Sequence, residues 1–209
     1  MNRRWFYKML KKLSIRIVNW QIKQGNLKQE EQAIYEYAYE ILLNQIINLL
    51  FASLIAWYFR MPIVVAVFLA IYIPLRSYSG GYHATTNWGC TLVSAFILVL
   101  ICGVYPNIPQ EIAVLYPVLF VISGVCIFLF APVPDINKPL DQLETRKYKI
   151  FSRIIWGVES LLGIFLYCMK LQIGLVIAMG HGVFTIMLLL GIIKYKFFCL
   201  HAKNDIFNV

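Results

Sequence analysis

The chain has 209 residues, a mean hydropathy of +0.70 and only 14% charged residues. A soluble domain carries about 25% charged residues, so this composition excludes an ordinary soluble protein and predicts one that spans a lipid bilayer. The net charge of +9 comes from Lys and Arg at the chain ends and between apolar runs, which favours anionic lipid headgroups over nucleic acid as the partner.

Residues 1–35 are predicted to form an amphipathic cytoplasmic or interfacial segment. Apolar residues recur there at spacings of three and four, with basic residues between them. The apolar set is Phe6, Met9, Leu10, Leu13, Ile17 and Trp20. Gly25 and Asn26 predict the end of the helix. We expect it to lie in the cytoplasmic headgroup plane, although packing on other protein would produce the same pattern.

Residues 36–209 are predicted to form a polytopic all-α membrane domain with six transmembrane helices. The predicted spans are Ile41–Phe59, Pro62–Leu75, Trp88–Tyr105, Glu111–Ala131, Ile150–Met169 and Gln172–Ile193. The second span is short, since its apolar run covers only about 21 Å as a helix. It must therefore extend past Arg76, tilt little or thin the bilayer.

Lys and Arg residues orient the predicted spans. With the N-terminus in the cytoplasm, 17 of the 19 Lys and Arg residues fall on the inside, and only Arg60 and Lys170 fall on the outside. Cytoplasmic segments carry such an excess. Both termini and the segment Arg76–Cys90 are therefore predicted to be cytoplasmic.

The segment "RSYSGGYHATTNWGC", Arg76–Cys90, carries the strongest candidate chemistry. A nucleophilic cysteine needs a base to form its thiolate. On one continuous helix, His83 and Cys90 would share a face with their Cα atoms about 10.5 Å apart. A bend at Gly80-Gly81 or within Asn87–Gly89 would bring them closer. The spacing permits a Cys–His dyad without requiring one.

This segment resembles the core of the accessory gene regulator B (AgrB) family, whose pattern is an Arg, a small-residue stretch ending in Gly, His-Ala, and a Cys seven residues after the His. A second block, "APVPDINKPL" from Ala131 to Leu140, is similar to the family's loop after the fourth span. Length and predicted span number agree as well, so the resemblance covers essentially the whole chain.

The resemblance implies a membrane cysteine endopeptidase of the bacterial cytoplasmic membrane, with its active site at the cytoplasmic face. Such enzymes remove the C-terminal tail of a small precursor peptide, hold the peptide as a thioester, and release a thiolactone or lactone precursor of a quorum-sensing signal. By motif position, Cys90 would be the nucleophile and His83 the general base and acid. No cofactor is implied, and the expected partners are the precursor peptide and membrane lipids.

Several polar residues are candidates for orienting His83 or binding substrate. Glu40 lies at the cytoplasmic start of the first span, where the family tends to carry Glu or Gln, but it could equally be a solvated charge. Asn44, with Gln45 and Asn48, either faces the site or joins helices by hydrogen bonds. Asp135 could orient the histidine or only cap a turn.

Three further residues of the segment Arg76–Cys90 have two possible roles each. Arg76 either binds a substrate carboxylate or backbone, or extends to lipid phosphate. Gly80 and Gly81 either let the substrate backbone approach closely or only form a turn.

The remaining polar residues favour structural roles. Glu159 is too deep in the fifth span to reach His83, which favours a structural hydrogen bond or a protonated acid. His181 is expected to pack in the bundle. Five cysteines without a CxxC pair indicate no disulfide framework. Cys199 and His201 lack further ligands, so no metal site is predicted.

Two rival functions remain open at this point. A small-peptide transporter without proteolytic activity would explain the polar residues in the spans but would not need His83 with Cys90. The second rival is a non-enzymatic membrane partner, such as a sensor subunit. Small residues on several spans would allow a homodimer.

The orientation can be tested by labelling single cysteines in a background whose native cysteines are replaced. Asn26→Cys and Asp205→Cys should react with a membrane-impermeant maleimide only after the cells are permeabilised, because both sites are predicted to be cytoplasmic. Lys170→Cys is the matched control and should react in intact cells. Labelling of either terminal site from outside would contradict the predicted orientation.

Overall fold

The computed structural model describes residues 3–82, 84, 86–109, 115–134 and 140–207, and these residues are α-helical with no β-strand among them. Seven helices follow one another along the described chain, with short 3₁₀ turns at Gln29–Glu31 and Tyr105–Asn107. The helices are α1 Arg3–Lys23, α2 Gln32–Tyr58, α3 Pro62–Ser79, α4 Asn87–Val104, α5 Leu115–Phe130, α6 Gln142–Cys168 and α7 Ile173–Phe207.

Five helical segments of the described chain are long and apolar enough to cross a membrane, which agrees with a multi-pass membrane protein. They are Gln29–Tyr58, Pro62–Ser79, Trp88–Asn107, Gln142–Cys168 and Ile173–Phe198. Helix α5 is apolar but shorter in its described part, and residues 111–114 of the predicted fourth span lie outside the described residues. The number of six spans therefore stays a prediction.

Three helices extend beyond the apolar runs that predicted them. Helix α2 begins at Gln32 rather than Ile41, and α6 begins at Gln142 rather than Ile150, because charged residues continue a helix outside the apolar region. Helix α3 continues to Ser79 and has 18 residues, which cover about 27 Å. The helix of the second span is therefore longer than its apolar run because it extends past Arg76.

The first of two compact units comprises residues 1–60 and 84–99. Helix α1 ends as predicted, with Gly25 at φ +73° and the Asn26 N–H donating to Gln21 O at 3.0 Å. One face of α1 packs on α2 and buries Leu10, Ser14 and Val18. The predicted helix is present, and its position in the headgroup plane stays a prediction.

The second unit comprises residues 61–83 and 100–209, and within it α7 packs against α3, α5 and α6. Small residues allow these helices to approach closely. A Cβ on Gly180 would lie 3.1 Å from Ile71 Cγ2, and one on Gly163 would lie 2.3 Å from Phe120 Cζ. The core of this unit includes Phe68, Leu75, Ile177, Phe184 and Leu188.

A buried polar cluster joins α5, α6 and α7 inside the second unit. His181 is 0% exposed and Glu159 is 7% exposed. His181 Nε2 lies 3.3 Å from Glu159 Oε2, although the two atoms are not aligned as a hydrogen bond. On its other side, His181 Nδ1 lies 2.9 Å from Ser123 Oγ. Trp156 Nε1 donates to Ser123 Oγ and to Phe120 O, both at 3.1 Å.

Ser123 connects the other polar groups of this cluster. Its Oγ lies 2.9 Å from Phe120 O and 2.9 Å from His181 Nδ1, and its single hydroxyl hydrogen can be donated to only one of them. Glu159 faces the other nitrogen of the same ring, so α5, α6 and α7 meet at the His181 side chain.

Replacement of Glu159 tests the contribution of this cluster. Glu159→Leu should lower the free energy of unfolding by about 1–3 kcal/mol, because it removes the polar group that faces the buried His181 Nε2 at 3.3 Å. Glu159→Gln should lose less, since its amide keeps a polar group that can donate to or accept from His181 Nε2. Unfolding by dodecyl sulfate in mixed micelles measures both variants.

Val158→Leu is the control on the same helix, because the Val158 side chain is 61% exposed and its enlargement should leave the midpoint unchanged. A Glu159→Leu protein as stable as the wild type would contradict a stabilising role for the pair.

Candidate active site

Cys90 lies in the first turn of α4, and Thr86 caps that turn. The Thr86 Oγ1 accepts the Gly89 N–H at 3.1 Å, and the Thr86 carbonyl accepts the Cys90 N–H at 3.1 Å. Threonine is a favoured N-cap because its hydroxyl satisfies one of the unpaired N–H groups at a helix start. The cap fixes the backbone that carries the Cys90 thiol at the end of the helix where negative charge is stabilised.

Close packing surrounds this turn within the first unit. A Cβ on Gly89 would lie 3.0 Å from Thr86 Oγ1 and 3.1 Å from Ala84 Cβ. A glycine at this position therefore lets Ala84 pack closely against the first turn of α4. The Trp88 ring meets the Phe51 ring of α2 edge-on, with centroids 6.3 Å apart. Cys90 itself is a half-buried free thiol.

One face of α2 carries Glu40, Asn44 and Asn48 at a spacing of four residues. All three are half-buried, whereas their neighbours Ile41, Leu42 and Gln45 are exposed. Asn44 Oδ1 and Asn48 Oδ1 are buried without a hydrogen-bond partner among the described residues. This face is therefore partly covered by protein, and the roles predicted for Glu40 and Asn44 stay predictions.

Arg76 lies in the last turn of α3 in the second unit. Its guanidinium donates to Tyr72 Oη at 2.7 Å and also to the Tyr82 carbonyl oxygen, and its Cζ lies 5.7 Å from the centre of the Tyr72 ring. These contacts tie the end of α3 to the segment that follows it. The predicted binding of a substrate carboxylate by Arg76 stays a prediction.

Gly80 and Gly81 end α3 at the predicted position for a bend. Their φ angles are +74° and +131°, which L side chains rarely adopt. A Cβ on Gly80 would lie 2.3 Å from Val133 O, and the Val133 N–H donates to Ser79 O at 2.9 Å. The segments Arg76–Cys90 and Ala131–Leu140 therefore contact each other, and the absence of a side chain at Gly80 leaves room for the Val133 backbone.

The bend predicted within Asn87–Gly89 is wrong, because these residues already belong to α4. His83 and Asp135 lie outside the described residues, so their predicted roles stay predictions. Glu40, Asn44 and Cys90 belong to the first unit, and Arg76, Gly80 and Gly81 belong to the second. Among the described residues, no group of three or more His, Cys, Asp or Glu could hold a metal ion.

Sequence reasoning missed several residues of this region. Thr86 carried a usable signal, because Thr before a new apolar run predicts an N-cap. Tyr82 and Val133 carried none, since their contacts join segments that are remote in sequence or use only backbone atoms.

The role of Thr86 can be tested by removing its hydroxyl. Thr86→Ala should lower stability by about 1 kcal/mol and loosen the first turn of α4, whereas Thr86→Ser keeps the accepting oxygen. Hydrogen exchange of the peptide covering residues 87–92 measures the effect. Equal protection of these amides in Thr86→Ala and Thr86→Ser would show that the cap does not hold the turn.

Comparison with known proteins agrees with the resemblance seen in the sequence. The sequence model described as AgrB, Accessory gene regulator B, matches residues 14–190. An AgrB-like protein of Clostridium perfringens strain SM101 is 28% identical over 198 residues, covering 92% of this chain and 90% of that protein. An AgrB-like protein of Listeria innocua is 31% identical over 155 residues, covering 73% and 74% of the two chains.

No solved structure matches this chain. The matched region contains both quoted blocks, His83 and Cys90, and it runs from α1 into α7. The chain therefore belongs to the accessory gene regulator B family.

Proposed function

We propose that this protein is a membrane-embedded cysteine endopeptidase that removes the C-terminal tail of a small precursor peptide and lets the remainder cyclise to a thiolactone or lactone. Cys90 is the nucleophile, and His83 is the general base and acid. The product is the precursor of a quorum-sensing signal. The reaction takes place at the cytoplasmic face of the bacterial cell membrane.

One observation carries this proposal. Cys90 is a half-buried free thiol, fixed by a capped helix start, and it stands seven residues after a histidine within a family match that covers most of the chain. A nucleophile needs a rigid backbone and a base within reach. The cap supplies the first requirement, and His83 is the nearest basic side chain in sequence that can supply the second.

The first chemical step transfers the peptide from nitrogen to sulfur. His83 takes the proton of the Cys90 thiol, and the Cys90 Sγ attacks the carbonyl carbon of the scissile peptide bond. The C–N bond breaks, and the imidazolium of His83 returns the proton to the leaving amine of the tail. Cys90 then holds the precursor as a thioester.

The second step releases the ring. A Cys thiol or Ser hydroxyl of the bound peptide loses its proton to His83 and attacks the thioester carbonyl. The C–S bond to Cys90 breaks, and the proton passes to the Cys90 sulfur. A thiolactone product exchanges one thioester for another, so this step is close to isoergic, and removal of the tail draws the first step forward.

Water must be kept from the thioester, because hydrolysis would compete with ring closure. A site where helix ends meet the lipid interface limits access of water. Glu40 and Asp135 are the candidate acceptors that orient the His83 ring, and Asn44 and Arg76 are candidate contacts to the peptide.

The proposal is tested with purified protein in liposomes and a panel of synthetic precursor peptides, each with an internal Cys or Ser and a C-terminal tail. Mass spectrometry should show the released tail and the cyclic product with wild-type protein. His83→Ala should slow cleavage by about 10²–10⁴-fold, the usual contribution of a general base, and Cys90→Ala should abolish it. Cys168→Ala is the matched control, because Cys168 is an exposed free thiol and should be dispensable.

Cleavage by Cys90→Ala at the wild-type rate would refute the proposal, and a ring formed by Cys90→Ser at the wild-type rate would refute the thioester step. The rival function is a small-peptide exporter without proteolytic activity. Peptide that crosses the liposome membrane with its tail intact, equally in wild type and Cys90→Ala, would favour the exporter.

A further inference from the structure

Helices α3 and α7 run side by side in the same direction within the second unit. Near the start of the contact, Gly180 of α7 lies against Ile71 of α3. Further along both helices, Gly191 of α7 lies against Gly81, just beyond the end of α3. Gly180, Met187 and Gly191 fall on one stripe of α7, because eleven residues complete about three turns.

At Gly191 the two backbones touch without intervening side chains. A Cβ on Gly191 would lie 2.5 Å from Gly81 C, 2.7 Å from Gly81 Cα and 2.7 Å from Tyr82 N. All three neighbours are backbone atoms, which cannot rotate away as a side chain could. One turn earlier, the Met187 carbonyl accepts the Tyr82 N–H at 2.8 Å. A carbonyl oxygen has a second lone pair for such a bond besides the one used within its helix.

Other groups, from Val133 and Arg76, contact the residues Ser79–Tyr82 as well. The Val133 N–H donates to Ser79 O at 2.9 Å, and the Val133 carbonyl occupies the space that a Cβ on Gly80 would need. The Arg76 guanidinium donates to the Tyr82 carbonyl. The segment from Ser79 to Tyr82 is therefore held at both of its ends, by Val133 at Ser79 and by α7 and Arg76 at Tyr82.

We propose that the stretch Met187–Gly191 of α7 is the platform that positions His83, and that Gly191 is a positioning residue of the active site. His83 follows Tyr82 directly, and consecutive Cα atoms are about 3.8 Å apart. The contacts of Tyr82 with α7 therefore hold the residue that directly precedes His83. This inference rests on the proposed function, because it assigns a role to α7 only if His83 serves Cys90.

Other glycines show that Gly191 is not simply one more small residue in a span. A Cβ on Gly103 in α4 or on Gly157 in α6 would meet nothing within 4 Å. Glycine in a helix interior costs about 1 kcal/mol relative to alanine, so Gly→Ala should stabilise helices at those two sites. At Gly191 the same change forces the Gly81–Tyr82 backbone away from α7.

Alkylation of Cys90 tests the platform without a substrate. The rate of reaction with iodoacetamide in liposomes is followed by mass spectrometry of the peptide that contains Cys90. If His83 activates the thiol, His83→Ala lowers this rate, and Gly191→Ala should lower it in the same direction. Gly157→Ala is the matched control and should react as the wild type does.

Two further readouts separate positioning from a general loss of structure. With a cleaved precursor peptide, Gly191→Ala should reduce kcat by about 100-fold, the scale expected when a catalytic group moves by about 1 Å, and leave KM unchanged. Imidazole added to the buffer should restore part of the alkylation rate in both His83→Ala and Gly191→Ala. A variant that is only misfolded would gain nothing from an added base.

The outcomes distinguish the inference from the function on which it rests. If His83→Ala slows alkylation and Gly191→Ala does not, the platform is overturned and the dyad stands. If His83→Ala leaves both alkylation and peptide cleavage unchanged, the proposed function fails and the platform with it. Should Gly191→Ala not fold, Gly81→Ala is a second variant on the same contact, since its Cβ would lie 3.2 Å from Met187 O at a φ of +131° that alanine rarely adopts. A wild-type alkylation rate in a folded Gly81→Ala protein would likewise overturn the platform.

Discussion

Backbone hydrogen bonding in a lipid environment is the constraint on which this structure depends. An N–H or C=O group that loses water must find a partner within the protein, and helices supply those partners locally. The described residues between Ser79 and Asn87 lie outside helices, and among them Tyr82 is paired with groups from other parts of the chain. Arg76 supplies a donor to Tyr82, and α7 supplies an acceptor. Arg76, Gly80 and Gly81 therefore have a structural role that does not depend on any contact with substrate.

Helix α7 organises the second unit because its different faces meet different partners. One face carries His181 towards Ser123 of α5 and Glu159 of α6. Another carries Gly180 and Gly191 towards α3 and the residues that follow it. The contacts also give the helix directions. Helices α3, α5 and α7 run parallel to one another, and α6 runs antiparallel to them. The six predicted crossings would give this arrangement, since the second, fourth and sixth would all run from outside to inside. The number of crossings stays a prediction.

The sequence predicted what depends on local pattern. Hydropathy and helix-end signals located α2, α3, α4, α6 and α7, and Gly25 and Gly80 mark helix ends as expected. The polar starts of α2 at Gln32 and of α6 at Gln142 were missed, because a helix does not stop where its apolar run stops. The pairing of Glu159 with His181, and of Gly81 with Gly191, could not be predicted. Such contacts depend on the rotation of each helix about its axis, which a run of apolar residues with little periodicity does not specify.

The segment before His83 and the turn that carries Cys90 are held by unrelated means. His83 and Cys90 are only seven residues apart, yet the N-cap at Thr86 lies between them and a glycine pair precedes His83. A continuous helix would have set their geometry by itself at about 10.5 Å between Cα atoms, which is long for a proton transfer. Once the helix is interrupted, each residue needs its own anchor. Cys90 takes its anchor from the cap at Thr86, and the segment before His83 takes its anchor from the backbone of α7. The anchor of the segment before His83 thus depends on Gly191, a glycine more than one hundred residues further along the chain.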